Sequence, residues 1–200
     1  MPLSRLATAV LALAIFPATT MALDDSVDFA HLSVYDGGLV ARHALPMHFE
    51  ADPAFSLHAP AHRTARFNDV PFEVSLGAFL TDDRAILIHA EHVTDLSGAA
   101  NYDRYAVSGW PMAEFRGPGA VCHEIPAEAV DGEHDLMWLR ERGFEPSGAI
   151  WMEQHFASGN DYNDEIVVSL LVKVDACEEH GAAPEALIEL RERLQVSAIE

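Results

Sequence analysis

Between positions 164 and 176 apolar side chains fall on every second residue: Ile166, Val168, Leu170, Val172, Val174 and Ala176. A period of two sets all six on one face of an extended strand, whereas a helix would scatter them around its axis. A face of that length has to be covered by other strands or helices, so the run places the chain among folds built on a sheet. Its other face, with Glu165, Val167, Ser169, Leu171, Lys173 and Asp175, is mixed and predicts cover by a helix or a neighbouring strand. A second extended run at 149–157 precedes it. The six residues between them, Ser158-Gly159-Asn160-Asp161-Tyr162-Asn163, are a cluster of turn formers.

The same reading applies upstream. Phe72, Val74, Leu76, Ala78 and Leu80 alternate with Glu73, Ser75, Gly77 and Phe79, the pattern of a strand with one buried face. Thr81, Asp82 and Asp83 supply a turn, and 84–94 resumes as a strand, so the two form a hairpin. Residues 105–107 and 119–122 read as shorter strands. Residues 23–71, with prolines at 46, 53 and 60, show weak periodicity, and 29–34 and 39–44 are the strand candidates there.

Helices are fewer. A short one is expected from Asp131 or Glu133 to Arg142, ended by Gly143 as a left-handed cap, with Phe144 packing back on Leu139. A second is expected over 184–194, with proline in its first turn and Leu187, Leu190 and Leu194 on one stripe. The expected fold is α+β: a mainly antiparallel β-sheet of about five to seven strands with one or two packed helices, closed by one disulfide.

The N-terminus bears on compartment. Arg5, the apolar stretch 6–16 and the small residues around Thr20-Met21-Ala22 have the order of a secretory leader. The apolar run stops at Pro17, short of the roughly 20 residues that a membrane span needs. We therefore expect residues 1–22 to be a signal peptide, and residues 23–200 to form a single domain in the periplasm or the extracellular medium, without membrane insertion. The chain carries 32 acidic against 12 basic residues, a net charge of −20, and loss of Arg5 with the leader makes it −21. Such a field repels nucleic-acid phosphates and anionic lipid head groups, which argues against both as partners.

Cys122 and Cys177 are the only cysteines, and in an oxidising compartment an even pair reads as one disulfide. A redox-active pair would want Cys-x-x-Cys spacing. A zinc site completed by His123 and His180 fits no standard finger spacing.

Eleven histidines are many for this length, and two groups invite comparison with ligand sets. The densest is His43, His48, His58 and His62, beside Met47, but Pro60 between the last two spoils a helical ligand register. The other is His89, Glu91 and His92. Alternation puts His89 beside Glu91 on one face, where a carboxylate can orient an imidazole, and puts His92 on the other. Glu153 and His155 repeat the same i, i+2 pattern, with Trp151 on their face. Were the two strands neighbours, His89, Glu91, Glu153 and His155 would converge as a candidate site.

For covalent catalysis little is on offer. There is no Gly-x-Ser-x-Gly elbow, and the glycines at 37–38 and 117–119 lack the context of a phosphate loop. Residues 98–105 and 159–162 each set an aromatic beside acidic or amide groups. Tyr102, Asp103, Asp161 and Tyr162 would suit a sugar, a cation or a protein.

The function expected from sequence is non-catalytic: a periplasmic module of a Gram-negative bacterium that binds an unidentified small molecule or protein without a cofactor. The alternatives are a histidine-based zinc or copper protein, and a hydrolase with a histidine-glutamate site.

Overall fold

The computed structural model describes residues 27–177 and 185–199; the expected leader, His180 and Pro184 lie outside them. The described strands are β1 Leu32–Tyr35, β2 Gly38–Ala41, β3 Met47–Ala51, β4 Ser56–Phe67, β5 Val70–Leu80, β6 Arg84–Val93, β7 Ala106–Val107, β8 Arg116–Ile125, β9 Gly148–Ser158, β10 Asp164–Val174 and β11 Leu194–Ala198. The helices are α1 Ala127–Val130, α2 His134–Glu141 and α3 Glu185–Glu192. The fold is α+β and mainly antiparallel, as expected. It differs in having two sheets, a four-stranded one in the order β1-β2-β3-β11 and a seven-stranded one in the order β4-β5-β6-β10-β9-β8-β7.

The strongly alternating segments form the centre of the large sheet. β5 and β6 pair across the expected turn, and β6 pairs with β10, which pairs in turn with β9. The inner face of these strands meets the small sheet and α3. Ile86, Ile88, Ile166, Val168 and Leu170 pack there with Leu32, Leu39, Phe49, Leu187 and Leu190. A Cβ added at Gly77 would come within 2.9 Å of Leu39 Cδ1, so glycine at this position lets the sheets close.

The outer face is covered at one end by α1 and α2, where Leu76, Leu80, Leu87 and Leu171 bury Trp138 and Leu139. At the other end the loop after β6 covers Phe72, Val74 and Val93 with Ala100. Because both faces are covered, β5 is not the one-sided strand its sequence predicts: Ser75 is fully buried and Phe79 is 2% exposed.

Three strands were not legible. β4 carries Pro60, which has no N–H to give to a ladder. The strand tolerates it because β4 is a sheet edge and its register shifts between His58 and Ala61. β3 and β11 are five residues each and pair with one another. The end of the expected C-terminal helix is therefore strand from Leu194 on. α2 follows the expected pattern more closely. Gly143 has φ +93, the Phe144 N–H donates to the carbonyl of Leu139 at 3.2 Å, and the Phe144 ring is fully buried.

The disulfide joins Cys122 to Cys177 with Cα atoms 5.6 Å apart. Cys122 is in β8 and Cys177 follows β10, so the bond reaches across β9 and ties the third strand back to the first. Among the described residues no helix is long and apolar enough to cross a membrane.

Candidate functional site

The residues singled out from sequence are divided by the sheet. β10 lies between β6 and β9, and the register puts His89 and Glu91 on the outer face with Val167 and Glu165. Glu153 and His155 stand opposite Leu170 and Val168 on the inner face. The four do not converge. His92 is also on the inner face, at the end of β6.

On the inner face Glu153 is 3% exposed and meets the Arg191 guanidinium of α3 through both of its oxygens; the Nε contact is 2.7 Å. His155 Nε2 is 3.4 Å from the same carboxylate, and its ring lies edge-on to Trp110 at 4.7 Å. Burial alone would raise the pKa of Glu153. The hydrogen bonds and charges of His155 and Arg191 outweigh it and pull the group down to about 2.

Further along the inner face, imidazoles from distant parts of the chain gather. His92 Nδ1 donates to Asp164 at 2.9 Å, and His31 Nε2 to Glu73 at 3.0 Å. The His31 ring lies 5.7 Å from that of His43 and 6.1 Å from that of His92. His62 bonds Ser75 Oγ at 2.8 Å, and His43 Nε2 donates to the carbonyl of Glu165 at 3.1 Å, with its pKa lowered by burial. Of the histidine group noticed in sequence, His43 and His62 come here, while His48 lies in β3 and His58 near the start of β4. His31 was missed, because nothing local marks it and only strand pairing brings it to the others. Among the described residues no group of three His, Cys, Asp or Glu side chains is placed to hold a metal ion.

The outer face is acidic. Glu91 and Glu165 are directly opposite one another on adjacent central strands and are 6% and 3% exposed. Burial, and then the charge of Glu165, hold the Glu91 carboxyl well above the usual range; burial raises Glu165 as well. The Tyr102 hydroxyl faces the Glu165 carboxyl, and its pKa is raised by burial and by that charge. Beside them Asp135 of α2 accepts from Arg63 at 2.8 Å and lies 3.3 Å from His89 Nε2. Burial opposes its ionisation, but the Arg63 charge and the His89 contact overcome this and lower its pKa. Glu165 was not singled out from sequence, since its partner is fixed by a register that no local pattern reveals.

Beside this pair, next to Ser158 of β9, the two loops read as recognition elements come together. The Ala100 N–H donates to the carbonyl of Tyr162 at 3.0 Å, Gly98 N–H to Asn163 Oδ1 at 2.8 Å and Ser158 Oγ to the Ala100 carbonyl at 2.5 Å. The Tyr102 ring stacks on Phe156 with centroids 4.2 Å apart. Arg104 lies over the rings of Tyr102 and Tyr105, at 5.4 and 4.6 Å. Between the loops is a concavity of about 210 Å³, walled by Tyr102, Phe156 and Tyr162 and edged by Asp103, Glu114 and Arg116.

Tyr162 Oη donates to Asp103 Oδ2 at 2.8 Å, while Arg116 Nε is 3.5 Å from Asp103 Oδ1. Tyr162 has φ +58, a left-handed conformation that is rare for a bulky side chain. The arrangement offers aromatic faces, hydrogen-bond donors and acceptors of both charges, and a backbone held against its preference.

The chain matches no protein-family model, no curated protein and no solved structure.

Proposed function

We propose that this protein is an exported, non-catalytic binding module that takes one small neutral or cationic polar molecule, about the size of a single sugar ring, in the concavity between residues 98–105 and the β9–β10 turn. The observation that carries this reading is the meeting of two sequence-distant loops around an aromatic wall with a polar edge. Stacking surfaces flanked by a few oriented polar groups are the usual make-up of a small-molecule site.

At about 210 Å³ the space is smaller than drug-sized pockets, which start at about 300 Å³. It suits a single ring. A chain charge of −20 disfavours anions, and the Asp103 and Glu114 carboxylates favour hydroxyl or cationic groups. Tyr162 adds support, because strained backbone persists where the surroundings over-determine it, and such positions cluster at ligand sites. A small molecule is favoured over a protein partner. The exposed large apolar residues, among them Val34, Leu96, Val107 and Ile188, are spread over β1, the 94–105 loop, β7 and α3. Export is supported by the leader-like N-terminus and by a disulfide of the kind that oxidising compartments maintain.

The test is saturation-transfer NMR followed by calorimetry with neutral monosaccharides and with choline as a cationic probe. The reading expects one class to bind, with affinity lowered at least about tenfold, or about 1.4 kcal/mol, by Asp103→Asn. It is overturned if neither class binds, or if Asp103→Asn leaves the binding unchanged.

A further inference from the structure

The carboxyl pair on the outer face lies beside the candidate ligand site, with Glu165 opposite Ser158 of its lining and facing Tyr102, and we propose that it is a proton-operated latch. With one proton shared between Glu91 and Glu165, the loop carrying Tyr102 closes on the sheet and completes the concavity; release of that proton to solvent opens it. The regulatory part of this inference rests on the reading of the concavity as a ligand site.

The geometry leaves the pair few alternatives. β6 and β10 are interior strands, so neither carboxyl can swing past a sheet edge to water. Like charges directly opposite on one face repel, and these two are nearly dry. When one carboxyl keeps its proton it donates to the other, and the repulsion becomes a hydrogen bond. Glu165 Oε2 is buried without a hydrogen-bond partner among the described residues, and so is free to take that proton.

Among the described residues the nearby cations offset a second charge only in part: Arg63 acts on Glu91 and His89 on Glu165 while both are engaged with Asp135. From β4, Arg63 is committed to Asp135 at 2.8 Å; from β6, His89 approaches the same Asp135 at 3.3 Å; and Asp135 of α2 adds negative charge. From the loop, Arg104 donates to the Asn101 carbonyl and lies over the tyrosine rings. From the inner face, His43 reaches only the backbone carbonyl of Glu165.

Tyr102 is the link to that site. One end of this side chain faces Glu165 and its ring forms a wall of the concavity. The loop, through Ala100 and Tyr102, covers the end of that face next to the pair, whereas α1 and α2 cover the other end. A second negative charge therefore finds relief most readily by letting water in under residues 98–105. Because Ala100 bonds to the Tyr162 carbonyl, lifting the loop also disturbs the turn that carries Tyr162.

The direction follows from linkage. Both carboxyls are raised above their ordinary range, so the latch is closed at low pH and loosens as pH rises through the raised range. The experiment is amide hydrogen exchange on the ligand-free protein, read as protection factors from about pH 5 to about pH 9. In the wild type, protection of 98–105 is expected to fall about tenfold over that range while β10 stays protected.

Glu91→Gln places a permanent amide donor where the shared proton was, and should hold protection within about twofold. Glu165→Gln makes the same test from the opposite strand should the first variant fail to fold. A wild-type loop indifferent to pH overturns the latch, as does a Gln variant whose loop loosens in step with the wild type. Exchange needs no ligand, so an intact pH response with a silent ligand panel rejects the reading of the concavity and leaves the latch standing.

Discussion

Glu153 on the inner face and the Glu91–Glu165 pair on the outer face are carboxyls of nearly equal solvent exposure, 3%, 6% and 3%, on three strands of one sheet, with the pair the more deeply set. Their acidities move in opposite directions, Glu153 down to about 2 and the pair upward. Low solvent exposure alone therefore does not decide the ionisation of an acid; how deeply it lies and what its cover brings do. α3 carries Arg191 onto Glu153 and favours its charged form. The loop over the outer face brings a tyrosine hydroxyl, and the charges of Arg63 and His89 offset burial only in part, so both carboxyls lie above their usual range. The inner face holds a paired charge, and the outer face holds two carboxyls of weakened acidity.

The largest effect should come from a perturbation blind to that distinction. Replacing Cys122 and Cys177 together by serine removes a cross-link spanning 55 positions and should lower stability by about 4 kcal/mol in the chain-entropy account. In urea titrations monitored by exchange, both faces should lose protection together. Loss confined to one face would mean that the two do not unfold as a unit, and the comparison between them would need separate reference states.

Arg191→Met addresses the inner face directly. It leaves Glu153 buried without its cation and should cost about 2 to 3 kcal/mol at neutral pH, below the range for fully buried pairs because solvent screens the Arg191 side chain, which is 37% exposed. The sign can be checked against pH. Glu153 is depressed in the folded state, so its contribution is present above the unfolded pKa of about 4.3 and is lost as pH falls toward about 2. The wild type should weaken over that interval, and the variant should lose this part of the dependence. A variant no less stable than one with a surface arginine removed would break the contrast drawn above.

Gly77→Ala is the smaller structural test. Its Cβ would crowd Leu39 and Leu32 across the sheet interface, and overpacking of this kind should cost about 1 to 2 kcal/mol in denaturant. An indifferent result would show the inner face to be looser than its burial implies.

What sequence could convey tracks how local each feature is. The β5–β6 and β9–β10 hairpins were legible because alternation and turn residues lie within one contiguous stretch. The end of α2 was legible for the same reason, since Gly143 and Phe144 adjoin the helix that they cap. β4 was hidden by Pro60, whose tolerance depends on the strand being an edge, a property of the assembled sheet.

The candidate site divides along the same line. Tyr102, Asp103 and Tyr162 carry loop chemistry visible in composition, and they were noticed. The opposition of Glu91 to Glu165, and the gathering of His31, His43, His62 and His92, come from register and topology. Reading Glu153 and His155 as companions of His89 and Glu91 failed for that reason. The i, i+2 pattern assigns residues to a face of their own strand and says nothing about which way that face looks once β10 is inserted between β6 and β9.

Tyr162 gives the finest test of whether the outer face is kept for function. Its left-handed backbone would suit glycine, so a chain selected for stability alone has no evident use for tyrosine at this turn. Its hydroxyl reaches Asp103 from an exposed position, where hydrogen bonds add little to folding. Tyr162→Gly should therefore leave the melting temperature unchanged or slightly raised, while ligand affinity falls by about tenfold or more. Tyr162→Phe keeps the strain and the ring but drops the hydroxyl, and should give an intermediate loss. Stability and binding would then move independently at one residue, as expected of a site where strain is retained for recognition. A glycine variant that melts lower and binds as well as the wild type would assign Tyr162 to the turn, and the aromatic wall would then be Tyr102 and Phe156 alone.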